Sequence, residues 1–112
     1  MTIVIYARVE LDPAQRAAAL VTAKPHIEAA LAQPGCLAYA WTADPHDPAL
    51  VHVFEEWSGQ EPLAVHLAGP AYRGMLGHIQ AHGITSAVSH KYAVTAKQPV
   101  YDPEGRPRAD FF

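Results

Sequence analysis

Ile and Val crowd positions 2–10, which predicts a first strand, and the run stops at Leu11-Asp12-Pro13, where Asp12 can cap a helix and Pro13 suits its first position. From Pro13 to Gln33 the rhythm changes. Ala-rich sequence carries Leu20, Val21, Ile27 and Leu31 at helical spacing until Pro34-Gly35 ends it, and Pro25, which removes a ladder bond, predicts a kink or break near Lys24. Residues 36–43 read as a strand with Leu37, Tyr39 and Trp41 on one face and Cys36, Ala38 and Ala40 on the other. Turn chemistry in Asp44-Pro45-His46-Asp47-Pro48 joins it to a second strand over 50–57, so the two form a hairpin. Ser58-Gly59-Gln60-Glu61 matches a capping box and opens a helix through Leu63, His66 and Leu67. Gly69-Pro70 breaks that helix, and the spacing predicts another from Ala71 to Ala81 with Tyr72, Leu76 and Ile79 on one stripe; Gly74 and Gly77 weaken it by about 1 kcal/mol each. Residues 84–96 read as a long strand. Beyond them, 97–112 hold three prolines and end in Phe111-Phe112, which predicts an extended C-terminal arm on a domain spanning 1–96.

This order, β-α-β-β-α-β, is that of an α+β, ferredoxin-like fold with an antiparallel sheet and helices on one face. Both faces of the 36–43 strand are apolar, and helices can cover only one of them. A homodimer packed through the sheet face is the simplest cover, and the arm is placed to cross onto the partner.

Composition narrows the partners. The chain has 112 residues, enough for one core, and is half hydrophobic with 17% charged residues, as in a compact globule. Its net charge is −3 and it has no Lys/Arg cluster, so neither nucleic acid nor an anionic membrane is an expected partner. Lone Cys36 fits a reducing, cytoplasmic setting. The first apolar run is too short for a signal peptide and none reaches the about 18 apolar residues of a membrane span, so a soluble chain is expected.

The candidate chemistry lies between Val53 and Leu67. Glu55 and Trp57 are two apart on a strand and share a face with Val51 and Val53, while His66 has helical spacing from Leu63 and Leu67 and turns inward. A carboxylate, an indole and an imidazole are therefore expected to meet in one buried space. The competing reading is that His66 and Glu55 satisfy each other in the core, with Trp57, Tyr72 and Met75 as packing residues. Among seven histidines only His78 and His82 have ligand spacing, with no third ligand nearby, so no metal site is expected. Cys36 has no obvious base, and nucleophilic catalysis has little support.

Three stretches, Pro34-Gly35-Cys36-Leu37-Ala38-Tyr39, Phe54-Glu55-Glu56-Trp57 and His66-Leu67-Ala68-Gly69-Pro70-Ala71-Tyr72, make the chain resemble the antibiotic biosynthesis monooxygenase domains of the dimeric α/β-barrel superfamily over residues 2–96. The resemblance implies a dimeric α/β barrel and a cofactor-free oxygenase acting on a quinol, anthrone or related polyphenol with dioxygen. In that setting His66 would be the base, Glu55 would steady its charged form, Trp57 and Tyr72 would stack on the substrate ring, and Tyr39, Trp41 and Met75 would line its site. Proton transfer from a phenol to an imidazole is uphill by about 5 kcal/mol, within the about 16 kcal/mol that a turnover near 10 per second allows. The haem-degrading branch of the superfamily has an Asn where Ala7 stands, a Trp at His66 and an iron-ligating His at Leu76; this chain lacks all three, and only His78 could substitute. A non-catalytic binding or dimerisation module, or a cyclase or isomerase, are the alternatives on the same scaffold.

Overall fold

The computed structural model describes residues 1–112. Its elements are β1 (Thr2–Leu11), α1 (Arg16–Thr22), α2 (Lys24–Leu31), β2 (Cys36–Ala43), β3 (Leu50–Trp57), α3 (Gln60–Leu67), α4 (Pro70–Gln80) and β4 (Ile84–Val94). The four strands form one open antiparallel sheet in the order β2-β3-β1-β4, the α+β ferredoxin-like arrangement that the element order predicted. No helix is long and apolar enough to cross a membrane.

Alternation along β1 and β3 places the core. Ile3, Ala7, Val9 and Leu11 pack with Val51, Val53 and Trp57 against Ala19, Ala23 and Ala30 of the first helical segment and Leu63, Met75 and Ile79 of the second. Alanines let α1 and α2 lie close to the sheet, and the predicted break falls at Ala23, which is fully buried and serves as the joint between them.

Local expectations fail in four places, each for a physical reason. Asp12 does not cap a helix at Pro13: its carboxylate accepts the Ala14 N–H at 2.9 Å and its carbonyl accepts those of Gln15 and Arg16, so it organises a turn and the helix starts at Arg16. Ser58 makes no cap either, since Gly59 is the N-cap of α3 and no side chain bonds the exposed N–H groups. On α4 the buried stripe is Ala71, Met75 and Ile79, rotated from the expected one, and Tyr72 and Leu76 stand half exposed at its edge. In β2 a bulge between Cys36 and Ala38 takes Leu37 out of the alternation, so it is Cys36, paired with Trp57, that shares a face with Tyr39 and Trp41.

Gly35 sets the entry to that bulge. Its φ is +83°, and a Cβ there would sit 2.5 Å from Pro62 Cβ. We therefore expect Gly35→Ala to cost roughly 2–4 kcal/mol, the sum of a left-handed backbone and an overpacked contact, read as a lower urea midpoint with an unchanged slope.

The outer sheet face is more mixed than the apolar face expected. Val4, Tyr6, Phe54, Val88 and Tyr92 share it with Arg8, His52 and His90, and Tyr6 Oη bonds His52 Nδ1 at 2.7 Å while His52 Nε2 meets Asp44 at 2.8 Å. Phe54, Val88 and Tyr92 remain 43%, 57% and 52% exposed. The tail is not simply extended: Asp102, buried at 5% exposure, accepts the N–H groups of Glu104 and Arg106 and pairs with the Arg106 and Arg108 side chains, closing a small hairpin with a Tyr101–Pro107 bridge. Those donors hold the Asp102 carboxyl below the usual range.

Candidate functional site

The helices cover β1, β2 and β3 but leave β4 exposed from Thr85 to Ala93. Between them a cavity of about 240 Å³ opens, floored by Ile5, Ala7, Val9, Tyr39, Trp41, Val53, Glu55, Ile84, Ala87 and Ser89 and roofed by Leu67 of α3 and Tyr72, Met75, Leu76 and Ile79 of α4. Most of this wall is hydrocarbon or aromatic. Glu55 is the one lining group whose ordinary ionisation lies near or below neutral pH.

The strand period brings Glu55 there. Val51, Val53, Glu55 and Trp57 all point toward the helices, so a carboxylate sits where the pattern otherwise demands an apolar side chain. The Glu55 side chain is 13% exposed, and Trp57 Nε1–H donates to its Oε1 at 2.9 Å. Burial disfavours the charged form and pushes the Glu55 carboxyl up, with the Trp57 hydrogen bond opposing part of the rise.

His66 is only 1% exposed. Its Nδ1 lies 2.6 Å from Gln33 Oε1 and its Nε2 4.0 Å from Glu55 Oε1, while its ring packs 4.5 Å from Trp57, 5.7 Å from Tyr39 and 5.8 Å from Tyr72, centroid to centroid. Burial pushes its pKa down and favours the neutral imidazole, and at 4.0 Å its Nε2 makes no hydrogen bond to Glu55.

Of the residues singled out in the sequence, Glu55, Tyr39, Trp41, Tyr72 and Met75 line the cavity together. Trp57 and His66 do not. Trp57 is completely buried under α3, and His66 lies against it, behind Glu55. Glu55, which touches Trp57 at 2.9 Å and lies 4.0 Å from His66, is the group through which that pair meets the cavity. The reason is register: Trp57 is the last residue of β3, beneath α3, whereas the cavity opens under α4 beside β1 and β4.

Two polar features escaped the sequence reading. Gln33, in the α2–β2 link, reaches His66 across 33 positions, which no local pattern signals. Trp41 Nε1 is shielded from water without a hydrogen-bond partner, and burial raises the pKa of the Tyr39 hydroxyl on the same face. A buried donor left open is costly.

His78 and His82 serve the scaffold. His78 Nε2 meets the Ala19 carbonyl at 2.8 Å and His82 Nδ1 the His78 carbonyl at 2.7 Å. His78 therefore faces α1 and cannot stand in for the iron ligand missing at Leu76. No group of three or more His, Cys, Asp or Glu side chains is arranged to hold a metal ion.

Comparison with known proteins agrees with the architecture. The family described as antibiotic biosynthesis monooxygenase matches residues 2–76. A crystal structure of an antibiotic biosynthesis monooxygenase superposes with a TM-score of 0.72 at 25% identity, covering 86% of this chain and 100% of that one. A Deinococcus radiodurans protein described as a candidate antibiotic biosynthesis monooxygenase gives 0.79 at 16% identity over 89% and 99% of the two chains. A Bacteroides thetaiotaomicron protein of unknown function, described as a possible oxidoreductase, gives 0.72 at 23% identity over 81% and 95%. No curated protein matches the sequence.

Proposed function

The chain belongs to the antibiotic biosynthesis monooxygenase family, and on that premise we propose that it oxidises a small hydroxylated aromatic of quinol or anthrone type with dioxygen, without a cofactor, in the cavity beneath α4. The observation that carries this reading is a single raised carboxyl, Glu55, on an otherwise apolar wall.

The substrate hydroxyl gives its proton to Glu55. For ordinary pKa values of about 10 and 4.3 this transfer is uphill by about 8 kcal/mol, inside the about 16 kcal/mol that a turnover near 10 per second allows, and the raised Glu55 pKa narrows the gap. The electron-rich phenolate then passes an electron to dioxygen, and recombination forms the new C–O bond. For a hydroquinone the sum is hydroquinone plus dioxygen giving hydroxyquinone plus water: one oxygen atom enters the ring, the other leaves as water, and the substrate supplies all four electrons. Tyr72 and Met75, on the roof of the cavity, are suited to press on the ring. The apolar wall keeps water away from the radical pair.

The carboxyl must be ionised to accept a proton, and its pKa is raised. The acidic limb of kcat/KM is accordingly expected to have its midpoint above the ordinary carboxylate value of 4.5. A limb at or below that value in a stopped-flow pH series would count against Glu55 as the base. An oxygen electrode and a panel of small quinols test the function itself: uptake that depends on both quinol and protein is expected, and none across the panel would contradict it.

Two copies paired through the outer sheet face complete the proposal, because Phe54, Val88 and Tyr92 lie exposed there. Light scattering is expected to give twice the chain mass, and Phe54→Glu to give a monomer; a wild-type monomer at micromolar concentration would refute the pairing.

A further inference from the structure

Gln33 has no role in the proposed chemistry so far, yet it makes the shortest polar contact of the buried histidine. We infer that Gln33 is a positioning residue, whose side-chain oxygen holds His66 in the tautomer that turns a bare Nε2 toward Glu55. The consequence for turnover rests on the function proposed above; the tautomer itself does not.

An amide oxygen carries no hydrogen, so at 2.6 Å from Gln33 Oε1 the proton must sit on His66 Nδ1. A neutral imidazole has only one N–H, and Nε2 is left with a lone pair 4.0 Å from Glu55 Oε1. That lone pair repels a carboxylate and attracts a carboxylic acid. It therefore favours the protonated form of Glu55, the form reached once a substrate hydroxyl has delivered its proton, and offers that proton an onward acceptor after a small closure of the gap. Glu55 would receive the proton and His66 would hold it, with Gln33 steadying the imidazolium through the same Nδ1–H bond. The backbone anchors Gln33 for this role. Its N–H bonds the Ala30 carbonyl at 3.1 Å and its carbonyl accepts the Cys36 N–H at 3.1 Å, so the side chain starts from a point fixed on both sides. The opposite amide orientation would put the proton on Nε2, donate it to Glu55 and stabilise the carboxylate, so the two arrangements predict opposite behaviour.

Long-range 15N–1H NMR of the His66 ring in the intact protein near pH 7.5 decides between them. The expected spectrum shows a protonated Nδ1 and an unprotonated Nε2; a protonated Nε2 would overturn the inference whatever the activity. Gln33→Leu is expected to lose the preference, and Gln33→Glu, which keeps an acceptor oxygen, to retain the Nδ1 proton and move the His66 titration upward. A Leu variant that folds and keeps the wild-type tautomer would also overturn it. With an active quinol in hand, Gln33→Leu should lower kcat about 10-fold or more with KM little changed, as loss of an imidazole's orienting partner does elsewhere. If the tautomer is as expected but no quinol is oxidised, the proposed function fails and the role of Gln33 in orienting His66 stands.

Discussion

Glu55→Gln is expected to fold, to bind a hydroquinone and to oxidise it about 10²–10⁴-fold more slowly than the wild type, because the amide fills the same space but cannot take a proton. The loss should fall on kcat, read by oxygen uptake at saturating substrate. A stability change of defined sign accompanies it. A carboxyl whose pKa is raised on folding binds its proton more tightly in the native state, so its contribution to stability is present below the unfolded value near 4.5 and is lost as pH rises through the folded pKa. Glutamine has no charge to desolvate. The variant should therefore gain on the wild type as pH rises from about 4 to about 8 in urea titrations, and a gap that shrinks over that range would show that Glu55 is not held against burial.

Trp57→Ala is expected to have the largest effect on stability. The side chain is completely buried between β3 and α3 and also supplies the donor to Glu55. Removing a buried Trp costs about 3–5 kcal/mol, against a total of about 5–15 kcal/mol for a domain, so the variant should unfold at a far lower urea concentration. Trp57→Phe separates the two roles. It keeps most of the packing and deletes the N–H that lowers the Glu55 pKa, so the acidic limb of the rate profile should move to higher pH while the fold survives. A profile unmoved in Trp57→Phe would mean that the indole does not tune the carboxyl.

Much of the scaffold could be read from the chain because its signals are local. Residues 36–43 and 50–57 are short, apolar-rich runs bounded by turn-forming stretches, and the strands Cys36–Ala43 and Leu50–Trp57 lie where that pattern put them. Glu55 was legible for the same reason, as a charge in phase with Val51 and Val53. What was hidden depends on contacts between distant segments. The bulge at Leu37 answers to the pairing of Cys36 with Trp57, and it decides which side of β2 each residue joins. The rotation of α4 toward Met75 follows from the surface against which it packs, which helical spacing alone leaves open. The tail's hairpin hangs on one carboxylate, Asp102, collecting backbone and guanidinium donors from residues up to six positions away. Trp57 and His66 looked like cavity residues from their faces alone; their depth, behind Glu55 rather than beside it, required α3 to be placed over the end of β3.

Oxidation under 18O2, followed by mass spectrometry of the product from a hydroquinone that the wild-type protein consumes, shows whether dioxygen supplies the new oxygen atom and whether Glu55 is needed for its transfer. One heavy oxygen is expected in the hydroxyquinone, the other in water, and almost no labelled product from Glu55→Gln in the same time. Product formed equally well under nitrogen, product without label, or full labelled turnover by Glu55→Gln would contradict the proposed function.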